Sequence, residues 1–370
     1  MLDLTAAFDT VDHSVLLTRL EQQVGLQGPV LQWFRSYLTE RTFSVRIGDL
    51  SSSSAPLTSG VPQGSILGPV LFSLYMLPLG AVISKHKMSF HLYADDLQVY
   101  LPVVPACPNS LQSINRCLED IRLWLSQDFL CLNEDKTECI VSGTSNLPSV
   151  SAPGPFALAP HLNHVVKNLG VKLDSSLKFD EQIDSVVRAS FFQLRLLSKV
   201  KPFLSRADLE KAIHAFISSR IDYCNALYVG GYQTGLHRLQ LVQNAAARLL
   251  TNSRKHEHIT PVLYSLHWFP VQFRINFKIL MFVFNKLTGL APSYLCEILT
   301  PHKPSRALRS AGQHLLKVPR SRFKQWGDRS FAVAGPKLWN LLPIELRSIT
   351  DRPLFKAKLK TYLFKMAFCT

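Results

Sequence analysis

The hydrophobic periodicity of the chain changes near Ser175, and this change limits the folds available to it. Before that point, short apolar segments alternate with helical patterns and with turns rich in Gly, Pro and Ser. After it, apolar residues recur at helical spacing over long stretches such as 183–200 and 236–250. We therefore predict an α+β fold in two domains. Residues 1–175 should form an antiparallel sheet backed by helices, and residues 176–370 should be mainly helical.

The charges of the chain divide at the same place. Residues 1–175 hold 11 Lys and Arg against 15 Asp and Glu, whereas residues 176–370 hold 30 against 11. A strongly basic region favours a polyanionic partner, which means nucleic acid or an anionic membrane surface.

The uncharged stretch from Ser51 to Ser84 raises the question of a membrane span. Its apolar part, residues 66–83, is long enough to cross a bilayer, but Pro69 and Pro78 interrupt it, which favours a buried helix. The start of the chain lacks the basic segment and long apolar core of a secretory signal. We therefore expect an intracellular protein of the nucleus or cytoplasm that is not secreted and has no membrane partner.

The cysteine pattern agrees with an intracellular location. The chain has 7 Cys, an odd number, and no pair has the C-x-x-C spacing of many zinc sites. We expect thiols rather than a disulfide framework.

Three Asp residues stand where strands and turns can bring them together. Asp3 lies in a short predicted strand, and Asp95 and Asp96 form the turn between two apolar strands, 88–93 and 97–101. Carboxylates at such places can converge on Mg²⁺, which prefers oxygen ligands. Two such ions about 4 Å apart could activate a hydroxyl and stabilise a leaving pyrophosphate. An isolated Asp-Asp pair is more often a solvated turn, so both interpretations stay open on these residues alone.

Five segments together resemble, in order and spacing, the core motifs of reverse transcriptases. They are LDLTAAFDTVDH (2–13), GVPQGSILGPVLF (60–72), YADD (93–96), LNEDKTECIVSG (132–143) and NLGVKL (168–173). YADD alone is a weak signal, whereas five ordered motifs are highly specific. The residues of these motifs look like those of non-long-terminal-repeat retrotransposons, the LINE class. The resemblance implies an RNA-directed DNA polymerase whose palm is formed by residues 1–175, with its fingers missing. A helical, thumb-like, basic region that binds nucleic acid would follow over residues 176–370.

The resemblance also implies catalytic and metal-binding residues. Asp3, Asp95 and Asp96 would hold two Mg²⁺ ions, for which Mn²⁺ could substitute, and the carbonyl of Leu4 would be a further ligand. Lys136 matches the position that protonates pyrophosphate in the family, although a lone lysine is more often simply solvated.

Other residues would contact the nucleotide and the primer. Phe8 stands where the family carries an aromatic ring that leaves no room for a 2′-hydroxyl, and a core aromatic is an equally good interpretation. Gln63 and Gly64 fall where the family contacts the incoming nucleotide, and a plain loop-to-helix turn would explain Gly64 as well. Leu169 and Gly170 would lie at the primer terminus.

The expected partners are an RNA template, a DNA primer and deoxynucleoside triphosphates. The chain begins inside the first carboxylate motif, whereas family polymerases carry fingers and more of the palm before it. We therefore expect impaired polymerisation from this chain. Two hypotheses result: a reverse transcriptase that uses two-metal nucleotidyl transfer, or a catalytically inactive, truncated remnant that binds nucleic acid.

Overall fold

The computed structural model describes residues 1–62, 64–102, 109–143, 161–302, 313–321 and 324–369. These form two compact units, Met1–Gly170 and Val171–Thr370. The first unit combines helices with short antiparallel strand pairs, and helices dominate the second. The chain therefore mixes helix and strand in a way that is compatible with an α+β fold.

The strands of the first unit are short. They are β1 (Asp3–Thr5), β2 (Thr42–Phe43), β3 (Arg46–Ile47), β4 (Leu50–Ser51), β5 (Ala55–Pro56), β6 (Ser89–Tyr93), β7 (Asp96–Tyr100), β8 (Cys131–Asn133) and β9 (Val165–Asn168). Antiparallel pairs join β1 to β8, β2 to β5, β3 to β4, and β6 to β7.

A backbone bridge connects the β1–β8 pair to the β6–β7 hairpin. The amide of Leu2 donates to the carbonyl of Leu97 at 2.8 Å, and the amide of Leu97 donates to the carbonyl of Leu2 at 3.2 Å. Both leucines are buried in the core of the unit, so the bridge is shielded from water. The four strands therefore follow the spatial order β6, β7, β1, β8.

Five helices pack around these strands within the described part of the first unit. They are α1 (His13–Gln22), α2 (Gly28–Leu38), α3 (Gly68–Tyr75), α4 (Leu79–Lys85) and α5 (Asn109–Gln127). The side chain of Asp12 caps α1 by accepting a hydrogen bond from the amide of Val15 at 2.9 Å.

The apolar stretch that raised the membrane question forms two helices, α3 and α4, joined by a turn at residues 76–78. Leu71, Phe72, Leu79 and Ile83 from these helices are all buried in the core. By length and composition, Gly68–Lys85 is the one stretch among the described residues that could cross a membrane, and 39% of it is buried. The core helix of a globular unit passes the same test, so this is weak evidence for a span.

A buried ion pair ties α1 to the end of α5 and to α3. The side chains of Arg19 and Asp128 are only 8% and 13% exposed and are hydrogen-bonded to each other. Arg19 also donates to the carbonyl of Tyr75 and lies over the rings of Tyr75 and Trp124 at 4.4 and 5.1 Å. The Tyr75 hydroxyl donates to the carbonyl of Asp128 at 2.7 Å. This network fixes the helices that support β1 and β8.

The second unit begins with a strand, β10 (Val171–Asp174), and continues with helices of very different length. The helices are α6 (Asp180–Val200), α7 (Arg206–Ile213), α8 (Ser219–Asp222), α9 (Gln233–Thr251), α10 (Ile259–Ser265), α11 (Val271–Leu287), α12 (Ser293–Ile298), α13 (Lys324–Gly327), α14 (Phe331–Asn340), α15 (Ile344–Arg347) and α16 (Arg352–Phe368).

Two hydrophobic clusters hold this unit together. The first lies between α6, α9 and the first half of α11, around residues such as Leu239 and Ile275. The second lies between α11, α14 and α16, where the rings of Phe284 and Phe355 stack with centroids 4.1 Å apart and Trp339 packs beside them. Helix α11 therefore contributes to both clusters.

Candidate active site

The strand register brings Asp3 between two polar residues on one face of the first unit. Asp3 pairs with Asn133 of β8. On its other side, the bridge between Leu2 and Leu97 sets Asp3 opposite Asp96, the first residue of β7. Residues directly opposite each other in antiparallel strands project from the same face. The side chains of Asn133, Asp3 and Asp96 therefore form a row across three strands.

Asp95 joins this row from the adjacent turn. Asp95 and Ala94 form the turn of the β6–β7 hairpin, and Ala94 has a positive φ of 51°. The pKa of Asp96 is raised, first by partial burial and then by the negative charges of Asp95 and Asp3. The carboxylate of Asp96 thus lies close enough to those of Asp95 and Asp3 to be repelled by both.

The carboxylates suit a divalent cation in their chemistry, since all are hard oxygen donors whose repulsion a cation would relieve. Among the described residues, no three His, Cys, Asp or Glu side chains are already grouped as a metal site. Asp3, Asp95 and Asp96 would therefore have to move closer to share an ion. Leu4, whose carbonyl is the further predicted ligand, is buried in β1 and pairs with Leu132.

Lys136 lies beside this row of side chains. Its Nζ is 3.6 Å from Oδ2 of Asp3, and its side chain is 71% exposed. The turn that carries it is fixed by Asn133, whose Oδ1 accepts a hydrogen bond from the Lys136 amide at 3.2 Å. A lysine at this place can reach both the carboxylates and the solvent.

Phe8 is fixed by the segment that contains the second motif. Its ring stacks on that of Phe72 with centroids 4.8 Å apart, and its carbonyl accepts a hydrogen bond from the Val61 amide at 2.8 Å. Gly60, with φ +91°, lies so close to this segment that a Cβ would be 3.0 Å from the carbonyl oxygen of Asp9. Phe8 is partly buried, so a core role and a nucleotide-contacting role are both compatible with its position.

Gly64 has a φ of +80° and open space where a Cβ would be. The backbone conformation, rather than crowding, is therefore the reason for glycine there. Gln63, the other residue assigned to the nucleotide, lies outside the described residues.

The predicted primer-contacting pair is linked to the strand that carries Asp96. Leu169 and Gly170 form a turn with positive φ values of 45° and 81°. Asn168, directly before the turn, accepts a hydrogen bond through Oδ1 from Nε2 of Gln98 in β7 at 2.6 Å. A side-chain hydrogen bond therefore links the residue before this turn to β7, the strand that carries Asp96.

A comparison with protein families agrees with this arrangement. The sequence model described as "Reverse transcriptase (RNA-dependent DNA polymerase)" matches residues 1–173. Residues 1–173 are therefore similar to the reverse transcriptase family. The match takes in Asp3, Asp95, Asp96 and Lys136, so the reverse transcriptase domain contains the whole carboxylate row.

The curated proteins that are similar to this chain include retrotransposon proteins. The chain is 25% identical over 324 residues, 84% of its length, to a probable RNA-directed DNA polymerase from transposon BS of Drosophila melanogaster, and it covers 35% of that protein. It is 30% identical over 196 residues to the RNA-directed DNA polymerase from mobile element jockey of the same organism, which is 51% of this chain and 21% of the relative. The predicted resemblance to LINE-type reverse transcriptases is confirmed.

The similarity to the transposon BS protein extends past the reverse transcriptase domain. Its 324 aligned residues exceed the 173 that the family model matches, so part of the second unit is included. The chain spans about a third of the length of that relative. Part of the second unit is thus similar to that relative, whereas the match to the family model ends in β10, the first strand of this unit.

Sequence reasoning did not assign a role to Asn133, Gln98 or Asn168. Asn133 lies inside a recognised motif, and an Asn at the end of a strand and before a turn is a signal for a side-chain hydrogen bond to the backbone. The link between Gln98 and Asn168 joins residues 70 positions apart, and no local pattern indicates it.

Proposed function

We propose that this chain acts as an RNA-directed DNA polymerase of a LINE-type retrotransposon and works by two-metal nucleotidyl transfer. The observation that carries this proposal is the row formed by Asp3 and Asp96, with Asp95 on the adjoining turn and Lys136 3.6 Å from Asp3. In this proposal the strands β6, β7, β1 and β8, with the helices that pack on them, are the polymerase palm.

In this proposal the palm carboxylates bind two Mg²⁺ ions, or Mn²⁺ in their place. Asp3, Asp95 and Asp96 would be the side-chain ligands and Leu4 a carbonyl ligand. When bound, the ions would activate the primer hydroxyl and stabilise the leaving pyrophosphate. Burial is the first cause of the raised pKa of Asp96, and the negative charges of Asp95 and Asp3 are the second. Those two neighbouring charges would also favour a cation, which supports this assignment.

The other residues would bind and orient the substrates. Lys136 would donate a proton to the pyrophosphate, and its exposed ammonium can reach from Asp3 into solvent. Phe8 would exclude a 2′-hydroxyl from the nucleotide site, with Gln63 and Gly64 contacting the nucleotide. The turn of Leu169 and Gly170 would support the primer end.

The partners in this proposal are an RNA template, a DNA primer and deoxynucleoside triphosphates. Residues 176–370, with 30 Lys and Arg against 11 Asp and Glu, would act as a thumb that holds the duplex by its phosphates. Binding of this kind is independent of sequence and weakens steeply as salt rises.

Primer extension on an RNA template tests the proposal. With Mg²⁺ present, the chain should extend a DNA primer, and Asp95→Asn with Asp96→Asn should abolish extension. The matched control is Glu40→Gln with Asp49→Asn, which removes two exposed carboxylates of the same unit and should leave extension intact.

The same assay separates the two functional hypotheses. A chain that binds the primer–template in a salt-dependent way but adds no nucleotide with either metal would be an inactive nucleic-acid-binding protein. Extension that survives the double Asp→Asn change would refute the assignment of the carboxylates.

A further inference from the structure

The second unit contains a cavity that the proposed polymerase chemistry does not use. Its volume is about 660 Å³, within the range of small-molecule sites. Side chains from the end of α8, from α11 and from α16 line it. The segments that follow α8 and precede α11 contribute Asn225 and Phe269. The cavity is therefore built by rigid helices of one unit.

The cavity carries positive charge that the described chain does not neutralise. Arg274 is engaged, since its Nη1 lies 2.7 Å from Oδ2 of Asp222 and its Nε donates to the carbonyl of Phe269 at 3.0 Å. Lys278 and Lys360 line the same cavity and are exposed. Neither lysine has an ion-pair partner among the residues whose side chains are described. Two ammonium groups are thus available to an anion.

Aromatic rings form a second part of the lining. His267 stacks on Phe364 with centroids 5.4 Å apart and an angle of 18° between the rings. Phe269 lies 6.2 Å from Phe364 and 6.3 Å from Phe277, also measured between centroids. Each of these rings borders the cavity. A flat aromatic ligand would find stacking partners there.

Asn225 is a buried polar residue in the wall of the cavity. The residue is 1% exposed, and its Oδ1 has no hydrogen-bond partner. Its Nδ2 lies 3.3 Å from Oδ1 of Asp222, and because a carboxylate only accepts, the amide nitrogen must face it. The unpaired atom is therefore an acceptor. Leaving such an atom unpaired costs about 1–3 kcal/mol. The atom is itself fully buried, so a ligand in the cavity does not reach it without a movement of the side chain.

We propose that this cavity binds one unpaired nucleotide. The base packs against the rings of Phe364 and Phe269, and the phosphate lies at Lys278 and Lys360. A purely apolar ligand would leave the two lysines unused, and a base inside a duplex cannot reach a cavity without being unstacked.

This site differs from the proposed grip on the duplex and does not depend on polymerase activity. The nucleotide could come from two sources, a free nucleotide or one unit of a single strand. Both present the same base, ribose and phosphate. The binding experiment therefore includes both.

Calorimetric titration of the full chain tests the proposal with adenosine monophosphate, adenosine and a short single-stranded oligoadenylate. Adenosine monophosphate should bind more tightly than adenosine. Lys278→Glu with Lys360→Glu should weaken monophosphate binding at least about tenfold, because charge-assisted hydrogen bonds are lost. Phe364→Leu should weaken both small ligands. The control is Lys286→Glu with Lys356→Glu, which makes the same charge change on α11 and α16 outside the cavity.

The outcomes separate the possibilities. Tighter binding of the oligonucleotide than of the monophosphate, lost in the cavity variant but kept in the control, supports the site and identifies a single strand as its ligand. Equal or weaker oligonucleotide binding, with cavity-dependent monophosphate binding, supports the site for a free nucleotide. Failure of both ligands to bind, or an equal loss in the cavity and control variants, overturns the proposal. The exposed lysine pair keeps the test valid if Phe364→Leu does not fold.

Discussion

Replacing Arg19 with Leu should strongly destabilise the first unit. The change removes the charge partner of Asp128, whose side chain is 13% exposed, and leaves that carboxylate buried and unpaired. Breaking one partner of a buried ion pair typically costs about 3–5 kcal/mol. The Tyr75 carbonyl also loses its donor, and the contacts of the guanidinium with the Tyr75 and Trp124 rings disappear. We expect the total loss to lie at or above the upper end of that range.

Hydrogen exchange followed by mass spectrometry measures this effect separately for each unit. Amide protection in α1 and α5 should fall by at least about 3.5 orders of magnitude, since the expected loss is about 5 kcal/mol or more and each factor of ten corresponds to about 1.4 kcal/mol. Peptides from α9 in the second unit serve as an internal control and should not change. Adding Asp128→Asn to Arg19→Leu should restore part of the protection, because the buried charge is then gone.

The pH dependence provides an independent check on the same pair. Burial is the main cause of the raised pKa of Asp128, and Arg19 opposes it. Without Arg19 that pKa should rise further, and a raised carboxylate pKa penalises the fold above that pKa. The loss in the Arg19→Leu variant should therefore shrink as the pH falls. A change in α1 protection of less than about tenfold, or equal changes in α9, would refute the reasoning.

Three further substitutions should have smaller effects on stability, two measured by hydrogen exchange and one by urea unfolding. Ala94→Gly should stabilise the β6–β7 hairpin by about 0.5–1 kcal/mol, because φ 51° strains a residue with a Cβ; slower exchange in β6 would show it. Asp12→Ala should destabilise α1 by about 1 kcal/mol through loss of its cap, and unchanged α1 exchange would contradict this. Burial opposes the charge of Asp174, but hydrogen bonds from Ser176, Lys178 and Phe179 outweigh it and lower its pKa. Its contribution should therefore be present above about pH 4 and lost as the pH falls through the lowered pKa; urea unfolding of Asp174→Asn should differ from wild type only at the higher pH.

Local patterns in the sequence predicted the parts of the site that depend on neighbouring residues. The two strands predicted at 88–93 and 97–101 are observed at Ser89–Tyr93 and Asp96–Tyr100, because apolar strands on either side of a short turn specify a hairpin by themselves. The prediction of a buried helix over residues 66–83 holds only in part. Leu71, Phe72, Leu79 and Ile83 are buried, but Ile66 is 94% exposed, and the turn at residues 76–78 divides the stretch into α3 and α4.

Contacts between distant segments could not be predicted from local patterns. The position of Asn133 opposite Asp3 follows from the register of β1 against β8, which is set by core packing rather than by any motif. The same holds for the bond from Gln98 to Asn168. The 3.6 Å approach of Lys136 to Asp3 was implied only by resemblance to a family, since the sequence pattern alone favoured a solvated lysine.

The backbone bridge between Leu2 and Leu97 determines which substitutions at these two positions keep Asp3 and Asp96 aligned. Its two hydrogen bonds use only amide and carbonyl groups, which almost every amino acid supplies. Apolar exchanges at either position would therefore preserve the alignment of Asp3 with Asp96 as long as the core stays filled. Proline at either position would remove an amide donor and release one strand from the other. The alignment of the two carboxylates is thus insensitive to most apolar substitutions in the bridge and highly sensitive to proline.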